Sequence, residues 1–448
     1  MRAAEAASGV SEWELMQRAG RGAAEWVWRA AAGRAVTVLC GPGNNGGDGY
    51  VIAEVLRSRG LDVLVVAPEP PTTATAKRAS DGYGGVVERA LGGRHAPVLV
   101  DALFGFGLSR PLGGECAKLL EKALASHSYT VAIDVPSGVQ SDTGIWLGTP
   151  FAAHLTLALG AWKRAHWLMP ASTAMGEKRP VEIGIRPEPD SDRLSLRPSL
   201  SAPARDSHKY RRGLLAIVAG AMPGAPLLAA KAALRAGAGY VKLLSAHSHP
   251  DAPAELVIDR GEQAWNDRRI GALLIGPGLG RDDRARERLA AVLDTIKPAV
   301  LDADALHLLD WDALEGVAAH RLLLTPHEGE LAALCEAFGV TAESKLAKAQ
   351  GLRDATGANV LAKGPDTLLA PAEGGLVFLP AASSWLSAAG TGDVLAGIAA
   401  SRLAHHGDPA RAAEEAVWLH REAARIAAPA FTAGELARAV RPALAALL

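Results

Sequence analysis

The chain of 448 residues has few cysteines and no long apolar run. Its only cysteines, Cys40, Cys116 and Cys335, lie far apart and form no Cys-x-x-Cys pair. This spacing excludes a disulfide framework and the usual zinc motifs, and it favours a reducing compartment. The apolar stretches fall short of the roughly 20 residues that span a bilayer, so no membrane helix is predicted.

The sequence also has almost no excess of charge of either sign, because 47 lysines and arginines are balanced by 48 aspartates and glutamates. Proteins that bind nucleic acids or membrane surfaces usually carry a basic excess, so neither partner is expected. The first five residues include an arginine and a glutamate and lack the apolar core of a signal peptide. We therefore expect a cytoplasmic protein.

Strands and helices alternate along the chain and fall into two halves. At roughly 100–200 residues per domain, the length allows two domains. In both halves, short apolar runs alternate with segments of helical periodicity, which predicts α/β domains with mostly parallel sheets. A stretch rich in proline, serine and charged residues separates the halves. We predict a first domain over 1–186, a linker over 187–206 and a second domain over 207–448.

Three predicted strands of the first half are followed by polar or glycine-rich runs. The first run is Gly-Pro-Gly-Asn-Asn-Gly-Gly-Asp-Gly at 41–49, and Asp101 and Asp134 follow the other two strands. Open α/β sheets bind ligands at the carboxyl ends of their strands, and a glycine-rich turn entering a helix suits a phosphate. Asn45, Asp101 and Ser137 offer only oxygen ligands, which suit a hard cation. Two structural explanations stay open: a tight turn that simply requires glycine, and aspartates that cap the following segment.

These runs resemble the N-terminal domain of NAD(P)H-hydrate epimerases. The resemblance rests on Asn-Asn-Gly-Gly-Asp-Gly at 44–49, Asp-Ala-Leu-Phe-Gly at 101–105 and Ile-Asp-Val-Pro-Ser-Gly at 133–138, and it covers residues 1 to about 186. It implies a Rossmann-like, three-layer α/β/α domain. The chain departs from the family around Lys163, which stands in Ala-Trp-Lys-Arg-Ala where the family has Ala-Pro-Lys. A lysine near a strand end is otherwise usually a solvated surface residue.

The resemblance also implies roles for single residues of the first domain. It implies a potassium ion held by Asn45, Asp101 and Ser137. It implies that Asp134 is the acid–base residue for epimerisation at the hydrated carbon of the nucleotide. The implied contacts to the hydrated nucleotide are Asn44, Asn45, Gly46, Gly47, Asp48, Gly105, Phe106, Gly107, Leu108, Ser109, Arg110, Pro111 and Asp134.

The second half carries a sharper pattern at Gly390-Thr391-Gly392-Asp393. Backbone N–H groups of such a turn can stabilise a transferring phosphoryl group, and Asp393 can accept a proton from an attacking hydroxyl. The plainer explanation is a helix cap with a glycine-rich entry. The run 363–367, Lys-Gly-Pro-Asp-Thr, follows an apolar strand and suits a nucleotide phosphate. His327 stands in a polar turn after another strand, which favours a substrate contact over a structural histidine.

Together these motifs resemble the ADP-dependent NAD(P)H-hydrate dehydratases of the ribokinase-like superfamily, over residues 207–448. The resemblance implies a ribokinase-like α/β domain that uses Mg²⁺ and ADP, with Asp393 as the catalytic base. The residues implied to bind the adenine nucleotide are Lys363, Gly364, Pro365, Asp366, Thr367 and Gly392. The contacts implied for the hydrated nucleotide are Ala225, Gly278, His327 and Asp393.

The two resemblances predict a bifunctional enzyme of nicotinamide nucleotide repair. Its first domain would interconvert the R and S forms of NADHX and NADPHX. Its second would dehydrate the S form by phosphorylating the ring hydroxyl and then eliminating phosphate. ADP is the implied donor, ATP stays open, and a homo-oligomer is implied. The alternative is a ribokinase-like kinase of a small molecule, such as a vitamin precursor, with a non-catalytic N-terminal binding domain; it would release a stable phosphorylated product.

Overall fold

The computed structural model describes residues 2–93, 96–186, 191–261 and 263–448. The chain forms two compact units, Met1–Pro189 and Asp190–Leu448. Residues 187–190 of the predicted linker lie outside the described ranges. All three cysteines are free and buried. Over the described ranges, no helix has both the length and the apolar character that a membrane crossing requires.

The first unit is built on one parallel sheet. Its strands are β1 Val36–Cys40, β2 Val63–Val66, β3 Val87–Glu88, β4 Val98–Ala102, β5 Tyr129–Ile133, β6 Leu155–Leu159 and β7 Glu177–Val181. Its helices are α1 Arg2–Ala7, α2 Glu12–Ala31, α3 Asn44–Ser58, α4 Ala74–Asp81 and α5 Gly114–Ser126. The strand order is β3-β2-β1-β4-β5-β6-β7. The order reverses between β1 and β4, and ligands of open α/β sheets bind in the crevice at such a switch point.

Alternate residues of the central strand β1 face two different cores. Val36, Val38 and Cys40 pack with the apolar faces of α2 and α3. Leu39 points to the other side of the sheet, where it packs with α5. A parallel sheet must be covered on both faces, and its strands are therefore apolar throughout. The predicted three-layer α/β/α domain is confirmed.

The second unit is built on a larger mixed sheet. Its strands are β8 Arg193–Leu194, β9 Leu214–Val218, β10 Tyr240–Leu244, β11 Val257–Asp259, β12 Ala272–Ile275, β13 Ala299–Leu301, β14 Leu322–Leu324, β15 Asn359–Ala362, β16 Leu368–Ala370 and β17 Val377–Phe378. Its helices are α6 Gly224–Arg235, α7 Asp283–Leu293, α8 Asp304–His307, α9 Trp311–Leu314, α10 Glu328–Ala337, α11 Lys345–Thr356, α12 Thr391–His406, α13 Pro409–Ala427 and α14 Ala433–Ala445.

The strand order in this sheet is β11-β10-β9-β12-β13-β14-β15-β16-β17-β8. In this spatial order, the seven strands from β11 through β15 are parallel to one another, whereas β16 is antiparallel to both of its neighbours. The helices α6, α12, α13 and α14 contribute to one apolar core against this sheet. The predicted second α/β domain with a largely parallel sheet is therefore present.

The described part of the predicted linker, residues 191–206, is attached to the second unit. Strand β8 pairs with β17 at the edge of the sheet. Arg193 and Ser195 both bind Glu414 of α13, with donor–acceptor distances of 2.8 Å from Arg193 Nη1 and 2.7 Å from Ser195 Oγ. Trp418 Nε1 donates to Ser195 Oγ at 3.1 Å. This segment is therefore a structural part of the second unit.

A buried charge network ties α12 to α13. Glu415 is 3% exposed. It accepts hydrogen bonds from Arg402 at 2.6 Å and Arg411 at 2.8 Å, and His406 lies 3.2 Å away. Burial alone would raise the pKa of Glu415, but the hydrogen bond with His406 and the charges of the two arginines lower it to about 2. The carboxylate is thus held ionised within the core.

Two predicted elements differ from those observed. The glycine-rich run 41–49 predicts a turn, with a helix that begins near Tyr50, but α3 begins at Asn44. The Asn-Asn-Gly-Gly-Asp run is therefore the first turns of a helix and not an open loop. Its glycines permit close packing, since a Cβ on Gly46 would lie 1.8 Å from the Gly41 carbonyl oxygen. The short apolar run Val377-Phe378-Leu379 predicts part of a hairpin over the sheet, but Val377–Phe378 form β17, which is a strand of the sheet itself.

Candidate active sites

A cavity of about 700 Å³ opens at the carboxyl ends of the first sheet. That volume is within the range of small-molecule sites. Many of the residues predicted to contact a nucleotide line it, namely Asn44, Asn45, Asp48, Gly105, Phe106, Gly107, Leu108 and Asp134. Helices α1 and α2 contribute the opposite wall, including Glu5, Glu12 and Met16.

Five of the predicted contacts are not among the lining residues. Gly46 and Gly47 are buried within α3, and a Cβ on Gly47 would lie 2.4 Å from the Met16 side chain. Ser109, Arg110 and Pro111 follow the lining residues in the chain and are exposed. Any contact that these five make with a nucleotide stays a prediction.

Asp134 is the buried carboxylate at the end of β5 and is 2% exposed. Its φ of 69° is in the left-handed region, which non-glycine residues rarely occupy. Its Oδ2 accepts a hydrogen bond from Phe106 N at 2.9 Å, and its Oδ1 accepts one from Leu159 N at 3.3 Å. The backbone therefore fixes both oxygens of a carboxylate that lines the cavity.

Lys163 forms a buried ion pair with Asp134. Its ammonium also donates to Leu159 O at 2.7 Å, and its side chain is 5% exposed and lines the cavity. The expectation of a solvated surface lysine is therefore wrong. A buried charge pair requires further hydrogen bonds, which here come from the backbone N–H groups at Asp134 and from the Leu159 carbonyl at Lys163. The sequence carried one signal for it, the retention of lysine at the family position.

The three predicted cation ligands are partly brought together. Ser137 donates to Asp101 from its backbone N at 2.8 Å and from its Oγ at 2.6 Å. Asp101 is fully buried, and desolvation raises its pKa in spite of these hydrogen bonds. Asn45 lies at the start of α3, and its buried Nδ2 has no hydrogen-bond partner among the described residues. A buried unpaired polar group requires an explanation, such as an ion.

Asp48 is a second buried carboxyl group at the cavity. It lies within α3 and is 8% exposed. Burial and the charge of Asp134 raise the pKa of Asp48 well above its ordinary value, whereas Lys163 acts in the opposite direction. This group therefore favours its neutral form more strongly than an exposed aspartate does.

The second unit concentrates charged side chains at the carboxyl ends of β13, β14 and β15. Lys363, directly after β15, donates to Asp302 Oδ1 at 2.8 Å and lies 3.8 Å from Glu330 Oε2. Thr325 Oγ1 donates to the same Asp302 oxygen at 2.7 Å. The charges of Asp302 and Glu330 outweigh burial and raise the pKa of Lys363. The lysine is thus a fixed positive charge at this sheet edge.

Asp393 lies in the first turn of α12, beside this cluster. Burial and the charges of Asp302 and Glu330 raise the pKa of Asp393 to about 6, against the opposing charge of Lys363. A Cβ on the neighbouring Gly392 would lie 3.6 Å from Lys363 Nζ, so the glycine-rich turn approaches the lysine closely. A carboxylate with a pKa near neutrality is suited to proton transfer.

Close backbone approaches bring the remaining predicted contacts to the same sheet edge. Lys363 N donates to Pro326 O at 2.8 Å, which places the His327 turn beside the lysine. Met222 N donates to Gly278 O at 2.9 Å, which joins the start of α6, with Ala225, to the loop after β12. His327 caps α10 through its Nδ1, and its side chain is 61% exposed. His327 therefore has a structural role as the cap of α10, and its ring is also exposed.

The run 363–367 forms a compact turn held by a residue that the sequence did not single out. Thr367 Oγ1 donates to Gly364 O at 2.7 Å. Lys345, at the start of α11, donates to Asp366 Oδ1 at 2.6 Å and to Asp366 O at 3.0 Å. A lysine in the first turn of an amphipathic helix resembles a solvated residue, so no pattern in the sequence signalled this contact.

Fold and sites together define a two-domain α/β enzyme, with a carboxylate–lysine cavity in one domain and a glycine-rich, phosphoryl-transfer type of site in the other. Residues 12–165 match the family described as YjeF-related protein N-terminus, and residues 215–444 match NAD(P)H-hydrate dehydratase. The chain is 34% identical to the bifunctional NAD(P)H-hydrate repair enzyme Nnr of Thermanaerovibrio acidaminovorans, over 96% of this chain and 93% of that protein. It is 33% identical to the same enzyme of Escherichia coli, over 96% and 88%.

The chain therefore belongs to the family of bifunctional NAD(P)H-hydrate repair enzymes. Both resemblances drawn from the sequence motifs are confirmed. Among solved structures, the second unit is similar to the ADP/ATP-dependent NAD(P)H-hydrate dehydratase of Bacillus subtilis co-crystallized with ATP/Mg²⁺. That similarity has a TM-score of 0.47 and 26% identity, and it covers 56% of this chain and 95% of the other.

Proposed function

We propose that this chain repairs hydrated nicotinamide nucleotides. The first unit interconverts the R and S forms of NADHX and NADPHX, and the second dehydrates the S form with ADP or ATP as phosphoryl donor. The observation that carries the proposal is the pair of separate sites in one chain of this family, one around Asp134 and one around Asp393. A cavity with a fixed carboxylate suits acid–base chemistry, and a lysine beside a glycine-rich helix start suits phosphoryl transfer.

For epimerisation, Asp134 is the group that gives and takes the proton. The carbon that carries the added hydroxyl can invert if this oxygen leaves as water and water returns to the other face. One carboxyl group can protonate the leaving oxygen and then accept a proton from the incoming water. Lys163 and Phe106 N hold the carboxylate in place while this happens. The glycine-rich start of α3 is the proposed phosphate contact, because the first backbone N–H groups of a helix favour anions.

A potassium ion fits the residues around Asp101. The fully buried Asp101 carboxylate accepts hydrogen bonds from Ser137 and Leu103 and forms no ion pair with any residue in the described ranges, and a buried charge without a cationic partner is costly. The amide of Asn45 has an unpaired buried Nδ2, and the two ends of an amide are assigned from hydrogen bonding. Turned over, this amide would offer an oxygen where it now has an unpaired N–H. The ion would supply a positive charge that orders this edge of the cavity.

For dehydration, Asp393 is proposed as the base that takes the proton of the ring hydroxyl. That oxygen then attacks the terminal phosphorus of the donor, and AMP leaves from ADP or ADP leaves from ATP. The phosphate ester leaves more readily than hydroxide: its C–O bond breaks, a proton leaves the adjacent ring carbon, and the ring double bond forms again. The turn 363–367, Lys363 and Gly392 are proposed to bind the adenine nucleotide through the lysine charge and backbone N–H groups. Ala225, Gly278 and His327 are the proposed contacts to the hydrated nucleotide.

Mg²⁺ is proposed to accompany the nucleotide. Within the described ranges, no group of three or more histidine, cysteine, aspartate or glutamate side chains is arranged around a metal. This agrees with the usual way in which Mg²⁺ is bound, through substrate phosphates and one or two carboxylates. The ion would offset charge on the phosphates. We further propose a cytoplasmic homo-oligomer without nucleic-acid or membrane partners, which the buried free cysteines, the balanced charge and the family resemblance support.

The test uses both epimers of NADHX and the recovery of absorbance at 340 nm, which reports the reduced ring. With Mg²⁺ and ADP or ATP, a mixture of epimers should be converted completely. Recovery that stops at the fraction of NADHX supplied as the S form would mean that the first unit does not epimerise. Failure to recover NADH with either nucleotide would contradict the proposal, and a stable phosphorylated product would instead support the small-molecule kinase.

A further inference from the structure

His166 is a fully buried histidine that touches the backbone of both members of the carboxylate–lysine pair. It lies in a short 3₁₀ turn, Arg164–His166, after β6, and its exposure is 0%. Its Nε2 lies 2.8 Å from Asp134 O, and its Nδ1 lies 2.9 Å from Lys163 N. It does not line the cavity, so it has no direct contact with a nucleotide bound there.

These two contacts fix the proton on the ring. A carbonyl oxygen only accepts, so Nε2 must donate to Asp134 O. A backbone N–H only donates, so Nδ1 accepts from Lys163 N. Nδ1 also lies 3.1 Å from Lys163 O, but a neutral ring that donates from Nε2 has no second proton for that oxygen. Burial and the charge of Lys163 lower the pKa of His166 to about 4, against the opposing charge of Asp134. The ring is therefore neutral, and its one proton lies on the nitrogen that faces Asp134.

The contact with Asp134 O bears on an unusual backbone conformation. With φ at 69°, Asp134 is in a region that disfavours residues with a side chain, and surrounding contacts must hold it there. Asp134 N donates to Leu157 O at 2.8 Å, and Asp134 O receives the proton of His166. Hydrogen bonds on both sides of this residue thus direct its carboxylate to the cavity.

The contact with Lys163 N bears on the other half of the pair. Lys163 is three residues before His166, and its backbone N–H is satisfied by the imidazole. Its ammonium reaches back to Asp134. The His166 ring therefore joins the two backbone segments that carry the ion pair, and a single 3₁₀ turn connects it to Lys163.

On the basis of the epimerase function proposed above, we infer that His166 is the positioning residue of the Asp134–Lys163 pair. Its imidazole sets the distance and direction between the two segments, and the reaction depends on that geometry. Supporting partners of this kind commonly affect activity by about 10–100-fold, although they do not touch the substrate. A purely structural role would change stability without a specific loss of turnover.

Two variants separate these roles. The oxygen and nitrogen of a glutamine amide can replace Nδ1 as acceptor and Nε2 as donor, so His166→Gln preserves both contacts. His166→Leu retains an apolar side chain of similar bulk and removes both. His154, an exposed histidine on the same unit, controls for the loss of an imidazole elsewhere, because its ring accepts from Thr130 N away from the cavity. His154→Leu should change stability only.

Epimerisation is measured from pure R-NADHX without ADP, ATP or Mg²⁺, by separating the two epimers over time. We expect kcat of His166→Leu to fall by about 10–100-fold with KM changed less than about threefold, and His166→Gln to recover most of it. Dehydration of S-NADHX, which depends on the other unit, should stay at the wild-type rate in every variant. Thermal unfolding of each variant is recorded alongside.

Three results would overturn the inference. One is wild-type kcat in His166→Leu. Another is a rise in KM at unchanged kcat. The third is an equal loss in the leucine and glutamine variants that follows their loss of thermal stability. Absence of epimerisation by the wild-type protein is a different outcome, since it would refute the proposed function of the first unit itself.

Discussion

The rate of dehydration should fall in acid as Asp393 becomes protonated. The pKa of Asp393 is about 6, raised by burial and by Asp302 and Glu330 against the opposing charge of Lys363. A base with this pKa is about 91% ionised at pH 7 and about 9% ionised at pH 5. We therefore expect kcat with S-NADHX to fall about tenfold between these pH values. Asp393→Asn should lower kcat by about 10²–10⁴-fold at pH 7.

A substitution close to Asp393 tests the physical cause of this fall in kcat at low pH, which is the acid limb of the pH profile. Glu330→Gln removes one of the negative charges that raise the pKa of Asp393, so the limb should move to lower pH. The amide oxygen can still accept from His327 N, which donates to Glu330 at 2.8 Å. Glu328→Gln is the control, because Glu328 is exposed and is not among the groups that shift Asp393.

The assay is the recovery of absorbance at 340 nm from pure S-NADHX, with ADP and Mg²⁺ saturating at each pH. Starting from the S epimer removes any dependence on the first unit. A wild-type kcat that stays constant from pH 7 to pH 5 would refute the role of Asp393 as base. An acid limb that moves upward in Glu330→Gln would refute the electrostatic argument.

Three further perturbations test the first cavity and the second core. Asp134→Asn should abolish epimerisation and leave dehydration of the S epimer intact, as measured with single epimers. Gly105→Ala should also lower epimerisation, because its Cβ would lie 2.9 Å from Asn45 Oδ1 and 3.0 Å from Asp134 Oδ2; wild-type activity would contradict this. Glu415→Ala should destabilise the second unit by about 3–5 kcal/mol in denaturant unfolding, because it leaves Arg402 buried without its partner. Burial would raise the pKa of Glu415, but the two arginines and a histidine lower it from 4.5 to about 2. This stabilisation is therefore complete above about pH 4.5 and is lost toward pH 2, so the difference from wild type should narrow over that range.

The sheets could be predicted from the sequence because buried parallel strands leave an apolar signature. Strands β1 and β12 are short apolar runs followed directly by glycine, and β9 is an apolar run that ends two residues before Gly220. The start of α3 could not be predicted in this way. Glycine is a poor helix former, so Asn-Asn-Gly-Gly-Asp suggests a loop. Packing against Gly41 and Met16 overrides that preference, because only glycine leaves room for the contact.

The two sites also combine residues that the sequence predicts with residues that only the fold shows. Asp134 and Asp393 could be predicted because each follows a strand or opens a helix within a recognisable motif. The contacts that hold Asp134 could not. A lysine is usually exposed at the surface, and only the fold shows that Lys163 is buried against Asp134. His166 and Lys345 act through contacts with distant backbone atoms, which no spacing in the sequence encodes.

The edge strand β8 has a practical consequence for separating the two activities. A fragment that began at residue 207 would omit Arg193 and Ser195 and leave β17 as an open edge, with Glu414 deprived of its partners. Exposed sheet edges pair with one another and promote aggregation. A fragment that carries the second unit should therefore begin no later than residue 191, and the shorter version should be the less soluble of the two.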